Sequence, residues 1–356
     1  MHKHRCTKIN FLQFRSQPGS QHRHWNIIKC FCIEKTQKPP FDWESWYQAC
    51  GGRTDHTPQA SQIVAKIYNE QAPHFTGVVE DTVRPFDSPD QATQFVKDTA
   101  IAAGAAAVGI ARIEPADVYE GRSVDETYAI AIGQRMLWKQ FQTVPSQESG
   151  VECCRVYYDL GEICIAVADA LRQRGYPARV EDPVGDSDLM HIPIALRAGF
   201  GELGRHGSII HPDLGPLFRL GTVVTDLPMT CDKPVDLGIA EFCDRCQACQ
   251  KYCPADAIPT QRNPAAGVDP IGKVRYVLDT GRCFPYFARQ HYCSICLAVC
   301  AYKHKEWARD LKGVETKLSP TTLLKDPPPT VDPSPPVRVH DYPRLDVLYN
   351  RTHPDR

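Results

Sequence analysis

Apolar residues recur at three- and four-residue intervals over residues 158–174, at Leu160, Ile163, Val167, Ala170 and Leu171, with Gly175 just beyond. That spacing lines one face of an α-helix, and the glycine supplies its stop. A second helix is predicted from Ser88, whose hydroxyl can cap, with Pro89 at the first helical position and Asp90 in the first turn; it runs to Gly104. Apolar runs of strand length occupy residues 106–113 (AAVGIARI), 128–132 and 220–225 (LGTVVT), the last closed by Asp226 and Pro228. Residues 193–198 read as a short helix ended by Gly199, Gly201 and Gly204. This alternation predicts an α/β domain with a mixed sheet over residues 88–236.

The flanks differ in character. Residues 1–87 are rich in Pro, Gln and His with scattered aromatics such as Trp43 and Trp46, and form no recognisable unit; the expectation is an N-terminal extension, wrapped on the surface or partly disordered. Residues 311–356 carry a proline run at 327–336 that cannot build a packed core, and read as a proline-rich C-terminal tail. Across 356 residues, 42% hydrophobic content excludes disorder of the whole chain. Lys plus Arg is 41 and Asp plus Glu is 42, so the formal charge is −1 and there is no global basic field for a nucleic-acid partner. No apolar run reaches the ~20 residues of a membrane span. The N-terminus shows neither the apolar region of a secretory signal nor a twin-arginine pair, so a cytoplasmic location is expected, with cysteines reduced or metal-bound.

Cysteine governs residues 237–310. Of sixteen cysteines, eight lie from Cys243 to Cys300. The run FCDRCQACQKYCP places Cys243, Cys246, Cys249 and Cys253 at the CxxCxxCxxxCP spacing of bacterial two-cluster ferredoxins, where the fourth thiolate serves the other cluster. Cys283 (GRCFPYF) and Cys293, Cys296 and Cys300 (YCSICLAVC) complete the number. Crossed ligation assigns Cys243, Cys246, Cys249 and Cys300 to one [4Fe-4S] cluster, and Cys253, Cys283, Cys293 and Cys296 to a second. Zinc sites have a different rhythm, and both compartment and spacing disfavour disulfides. The remaining cysteines, among them Cys153, Cys154, Cys164 and Cys231, read as small buried hydrophobes. No GxGxxG or P-loop stretch is present, so a common flavin or NAD site is not expected.

Over residues 90–305 the chain resembles the corrinoid-dependent reductive dehalogenases. The resemblance rests on VGIARIEPADVYEG (108–121), RGYPARV (174–180), IPIALRAGFGELGRHGSII (192–210), GPLFRLGTVVTDLPM (215–229) with the DKP that follows, and the cysteine runs. It implies a nitroreductase-like α/β corrinoid-binding domain (88–236) followed by a ferredoxin-like domain (237–310) with two [4Fe-4S] clusters, the corrinoid (cobalamin) lying between them. The implied reaction is replacement of halogen by hydrogen on an organohalide. The implied electron source is an external low-potential donor such as ferredoxin or flavodoxin. In that family a tyrosine donates the proton, assisted by a basic residue; the matching position falls in VYYDLGE, giving Tyr158 with Tyr157 as the alternative, and Arg219 as the cation. The loop EDPVGDSDLMHI (181–192) is expected to face corrinoid and substrate, with Asp186, His191, Gly199 and Gly201 as cofactor-binding candidates. It offers Asp186, Ser187, Asp188 and His191 where dehalogenases carry asparagine or lysine. Cys300 is followed by AYK rather than proline, another departure. No DxHxxG stretch is present, so a protein histidine on cobalt is not indicated.

Two other readings stand beside this one. Epoxyqueuosine reductases of tRNA modification share the implied scaffold and the eight ligands, but their LER and CPWN signatures are replaced here by Met190–Ile192 and Cys300–Lys303, and the near-neutral charge lacks a basic stripe for phosphates. A non-catalytic corrinoid or electron-transfer protein would be indifferent to Tyr158→Phe.

Overall fold

The computed structural model describes residues 58–119, 122–184 and 187–303. The expectations for residues 1–57 and for the tail from 304 onward lie outside the described residues. Within 58–87, read from sequence as structureless, the chain forms α1 (Pro58–Lys66), continued by a π-helical turn (Ile67–Gln71) and a 3₁₀ turn (Ala72–His74). Next come α2 (Pro89–Ala102), β1 (Ala107–Arg112), β2 (Tyr128–Arg135), α3 (Trp138–Phe141) and α4 (Gln147–Arg172). They are followed by β3 (Ala178–Glu181), α5 (His191–Arg197), β4 (Glu202–Leu203), β5 (Ile209–Ile210) and β6 (Phe218–Thr225). The cysteine region adds α6 (Ile239–Cys246), α7 (Ala248–Lys251), α8 (Thr280–Arg289) and α9 (Ile295–Ala298).

The four-stranded sheet has the order β1-β2-β6-β3, and all three pairings are antiparallel, correcting the mixed sheet expected from sequence. Alternating helices and strands normally signal parallel crossovers. Here β3 and β6 enclose α5 and the β4–β5 hairpin, and the connection returns the chain antiparallel. Register aligns Ile110, Ile130, Val223 and Val180 in one row across the sheet. That row packs with Leu160, Ile163, Val167 and Leu171 of α4 and Val96 of α2. On the opposite face Ala111, Ala129 and Val224 pack with Ile194, Ala195 and Leu196 of α5. Period-2 alternation on strands buried on both sides thus gives a three-layer arrangement.

Helix α4 is the element that positions the candidate site. Its apolar periodicity is visible from residue 158, yet it begins eleven residues earlier, because Ser146 and Ser149 cap its N-terminus reciprocally: the Ser146 hydroxyl accepts from the Ser149 N–H at 3.2 Å, and the Ser149 hydroxyl accepts from the Ser146 N–H at 3.1 Å. The first three turns therefore carry Cys153, Cys154, Tyr157 and Tyr158 into the body of a helix. At its other end Arg172 is buried and donates to the carbonyls of Ala178 (3.0 Å) and His74 (3.2 Å), while Val180 donates its N–H to Phe75 O. Residues 72–75 are thereby stitched to the sheet.

Gly199 and Gly201 have positive φ, +81° and +135°. A Cβ on Gly201 would overlap the Ile210 carbonyl on the facing strand, and one on Gly199 would sit 2.9 Å from the Lys233 carbonyl. The requirement for glycine at both positions comes from the protein's own backbone. Gly201→Ala is expected to cost about 2 kcal/mol or more through combined steric and φ strain, read as a lower urea midpoint at unchanged m.

Candidate active site and thiol clusters

The eight cysteines converge as two groups of four. Cys243 and Cys246 lie on α6, Cys249 on α7, and Cys300 follows α9; together with Arg205, His206, Phe242 and Tyr302 they line a small cavity. The field at Cys300 comes from Cys243 and Cys246, with a further contribution from Cys296 of the other group, whereas that at Cys296 comes from Cys283 and Cys253. Cys293 likewise senses Cys296, Cys283 and Cys253. The grouping is the crossed one expected from the spacing. Burial pushes the Cys243 and Cys283 thiols up to about 12. Thiols so desolvated remain protonated unless a cation replaces the proton, which is the chemistry of a metal-ligating donor set.

The backbone around these thiols is strained. Six non-glycine residues among those described have positive φ: Gln247, Asp256, His291, Tyr292, Cys293 and Ser294, with values from +26° to +61°. All lie in the cysteine region, four of them in succession. Left-handed conformations in non-glycine residues cost roughly 1–3 kcal/mol each and persist where surrounding interactions demand them. Sequence reading could not foresee this stretch, since no glycine marks it.

The second locus is on α4. Arg219, on β6, is half-buried, and its Nη2 donates to Cys153 Sγ at 3.0 Å while its guanidinium carbon lies 5.4 Å from the centre of the Tyr157 ring. Its Nε has no hydrogen-bond partner among the described residues. Burial opposes the Arg219 charge, but Tyr157 and Cys153 outweigh it and hold the group above the ordinary arginine value. Tyr158 is elsewhere: its hydroxyl faces Glu70 beside α1 at 3.4 Å. Desolvation there, with the carboxylates of Glu162 and Glu70, pushes that hydroxyl above the ordinary tyrosine value. Of the two candidate tyrosines, Tyr157 is the one placed beside Arg219. Residues 153 and 157 are one helical turn apart on the face toward Arg219, while 158 is rotated by about 100°. Tyr157 and Tyr158 both join an apolar cluster with Val184, Cys154 and Tyr292, the neighbour of Cys293, so α4, the loop after β3 and the second cysteine run meet there.

Comparison with known proteins is informative at this point. No family model matches the chain. A tetrachloroethene reductive dehalogenase of Desulfitobacterium hafniense strain Y51 is 33% identical over 199 residues, covering 53% of this chain and 35% of that protein. A tetrachloroethene reductive dehalogenase of Sulfurospirillum multivorans is 30% identical over 290 residues, covering 68% of this chain and 56% of that protein. The chain is a homologue of the reductive dehalogenases. Those relatives are oxidoreductases acting on carbon–halogen bonds, and the chain spans between about a third and somewhat over half of their length. The solved structure of the catabolic reductive dehalogenase NpRdhA, in complex with 3-bromo-4-hydroxybenzoic acid, superposes with a TM-score of 0.64 at 25% identity, covering 74% of this chain and 40% of that one. A more distant relative, the epoxyqueuosine reductase of Salmonella typhimurium strain LT2, is 28% identical over 161 residues, covering 40% of this chain and 36% of that protein.

Beside these dehalogenase relatives, the loop after β3 has its own anchors. Buried Glu181 accepts from the Ser187 hydroxyl (2.8 Å) and the Asp188 N–H (2.7 Å), and pairs with Arg179 at 2.5 Å. Arg122 holds Asp188 at 3.1 Å. Asp186, a cofactor-binding candidate, lies outside the described residues. His191 has both ring nitrogens engaged: Nε2 faces the Asp182 carbonyl at 3.3 Å, an acceptor only, so it carries the proton, and Nδ1 then accepts from the Thr222 hydroxyl at 2.8 Å. This neutral ring pins α5 to the sheet. Desolvation pushes it down to about 4. The unfolded chain binds more protons on this group between pH 4 and 6.5, so it withdraws up to about 3 kcal/mol of stability as pH falls through that window. Urea midpoints at pH 7.5, 6.5 and 5.5 are expected to show this loss, with a smaller slope in His191→Asn.

Sequence reading missed Cys153 as a neighbour of Arg219; its signal was the four-residue spacing to Tyr157. Among the described residues, no helix is long and apolar enough to cross a membrane.

Proposed function

We propose that this protein is a reductive dehalogenase that replaces halogen by hydrogen on an organohalide, with Tyr157 as proton donor and Arg219 as its electrostatic partner. The observation that carries the reading is the half-buried Arg219 guanidinium set 5.4 Å from the Tyr157 ring centre with no carboxylate among its described hydrogen-bond partners, in a chain homologous to enzymes of that chemistry. The balance is R–X plus two electrons and one proton giving R–H and X⁻. A low-valent corrinoid, when bound, supplies the electron pair to the carbon–halogen bond, and two [4Fe-4S] clusters on the eight thiols replenish it.

The chain's own residues have separable tasks. Cys243, Cys246, Cys249 and Cys300 would hold one cluster, and Cys253, Cys283, Cys293 and Cys296 the other; the mutually facing thiols, buried or half-buried, support this assignment. The loop after β3, Asp186 included, and the face of α4 around Tyr157 would border the corrinoid. With His191 held by Thr222 and Asp182, that side chain is not offered to cobalt. Tyr157 gives its hydroxyl proton to the carbon centre, and Arg219 stabilises the phenolate left behind. Its unpartnered Nε also suits a polar or anionic group beside the tyrosine, such as the departing halide.

The test is anaerobic reconstitution of the full chain with iron, sulfide and cobalamin. Eight irons and one retained corrinoid per chain are expected. Eight irons with no retained corrinoid would sink the proposal. Corrinoid retention with conversion of an epoxide-bearing tRNA, and no release of halide, would favour the epoxyqueuosine reductase reading.

A further inference from the structure

The two groups of thiols differ in their electrostatic surroundings. Arg205, at the tip of the β4–β5 hairpin, is 1% exposed. Its Nε and Nη2 donate to the Cys243 carbonyl at 3.1 and 2.6 Å, Nη1 to the Pro259 and Thr260 carbonyls at 2.9 and 2.6 Å, and Nη2 also to the Asp244 carbonyl at 3.3 Å. All five N–H donors are used, and among the described residues every partner is a neutral carbonyl. The guanidinium carbon lies 4.2 Å from the centre of the Tyr276 ring. The Asp244 carboxylate is taken up by Arg262, at 2.7 Å, and by the Tyr276 hydroxyl. A buried guanidinium without a carboxylate is costly unless another negative charge lies near it.

The adjacent His206 is 4% exposed, and its Nδ1 accepts the Ser208 N–H at 3.2 Å. The neutral ring therefore carries its proton on Nε2, which has no partner among the described residues. Both residues line the cavity shared with Cys243, Cys246, Cys249 and Cys300. At the other thiol group the charged side chain acting on Cys283 is Asp279, an anion.

We propose that Arg205 and His206 raise the reduction potential of the cluster held by Cys243, Cys246, Cys249 and Cys300 above that of its neighbour. Each one-electron reduction adds negative charge, which a buried cation and an unspent N–H donor stabilise. The inference rests on reading the eight thiols as cluster ligands.

The experiment is an EPR-monitored redox titration of the reconstituted full chain as wild type, Arg205→Met, Arg205→Lys, His206→Phe and His206→Gln. In Arg205→Met one of the two midpoint potentials is expected to fall by at least a tenfold change in reduction equilibrium, about 59 mV for one electron. His206→Phe lowers the same potential by a smaller amount. Arg205→Lys and His206→Gln keep the charge and the donor and recover most of the shift. The signal that moves is the one that Cys246→Ser perturbs. Unmoved potentials at full iron content overturn the proposal, as does an equal shift in Arg205→Lys and Arg205→Met, which would make Arg205 a mechanical tie only. Should Arg205→Met load fewer irons than wild type, His206→Phe decides alone, and an unmoved potential there overturns the proposal. A wild-type chain that binds no iron removes the ligand reading and this proposal together; eight irons with unmoved potentials removes this proposal only.

Discussion

Replacing Tyr157 by phenylalanine is expected to lower halide release roughly 10²–10⁴-fold, the range for loss of a positioned general acid, while Tyr158→Phe leaves it nearly unchanged. The two tyrosines are adjacent in sequence but face different neighbours. Tyr157 lies beside a half-buried cation that favours its ionised form, whereas Tyr158 faces Glu70 near Glu162, carboxylates that oppose ionisation. An acid is useful when its conjugate base is stabilised, so the same chemical group is competent on one side of α4 and poor on the other. Steady-state halide release by the two variants at matched iron and corrinoid content checks this. Full activity in Tyr157→Phe would remove its role.

Arg219→Met is expected to cost roughly 10²–10³-fold in the same assay, as for loss of a preorganised electrostatic donor, while the protein becomes no less stable. The second half follows from its partners. Among the described residues the hydrogen-bond partner of Arg219 is the Cys153 thiol and its Nε is unpartnered, so an apolar side chain in its place breaks no ion pair there. Replacing such a charge by an apolar side chain of similar volume is neutral or stabilising by roughly 1–4 kcal/mol in comparable cases. Activity and urea midpoint therefore move in different directions. A large fall in midpoint would mark Arg219 as structural, and retained activity would dissociate it from Tyr157.

Much of this site was legible in the sequence, because cysteine spacing is a geometric constraint carried by local chain. The CxxCxxCxxxCP run separates Cys253 from its three predecessors, and the folded chain groups it with Cys283, Cys293 and Cys296. The core strands were legible too, since Ile110, Ile130 and Val223 sit in apolar runs of strand length. What escaped depended on contacts distant in sequence. The choice between Tyr157 and Tyr158 needed the phase of α4 against β6, and the apolar periodicity read from sequence began only at the second of the two candidates. At glycines 199 and 201 nothing local announces the Lys233 and Ile210 carbonyls opposite them. Residues 58–74 looked structureless because their order comes from packing against Cys154 and Tyr157 of α4 and from Arg172, not from propensity. The left-handed run at His291–Ser294 carries no glycine, so its strain was invisible until the fold placed Cys293.

The most direct test of the function is the ratio of halide released to electrons consumed by the iron-, sulfide- and corrinoid-loaded chain under a low-potential reductant, across aryl and alkyl halides including 3-bromo-4-hydroxybenzoic acid and tetrachloroethene. One halide for every two electrons, with hydrogen in place of halogen in the product, is the expected result. Electron uptake with no halide released from any member of the panel would contradict it.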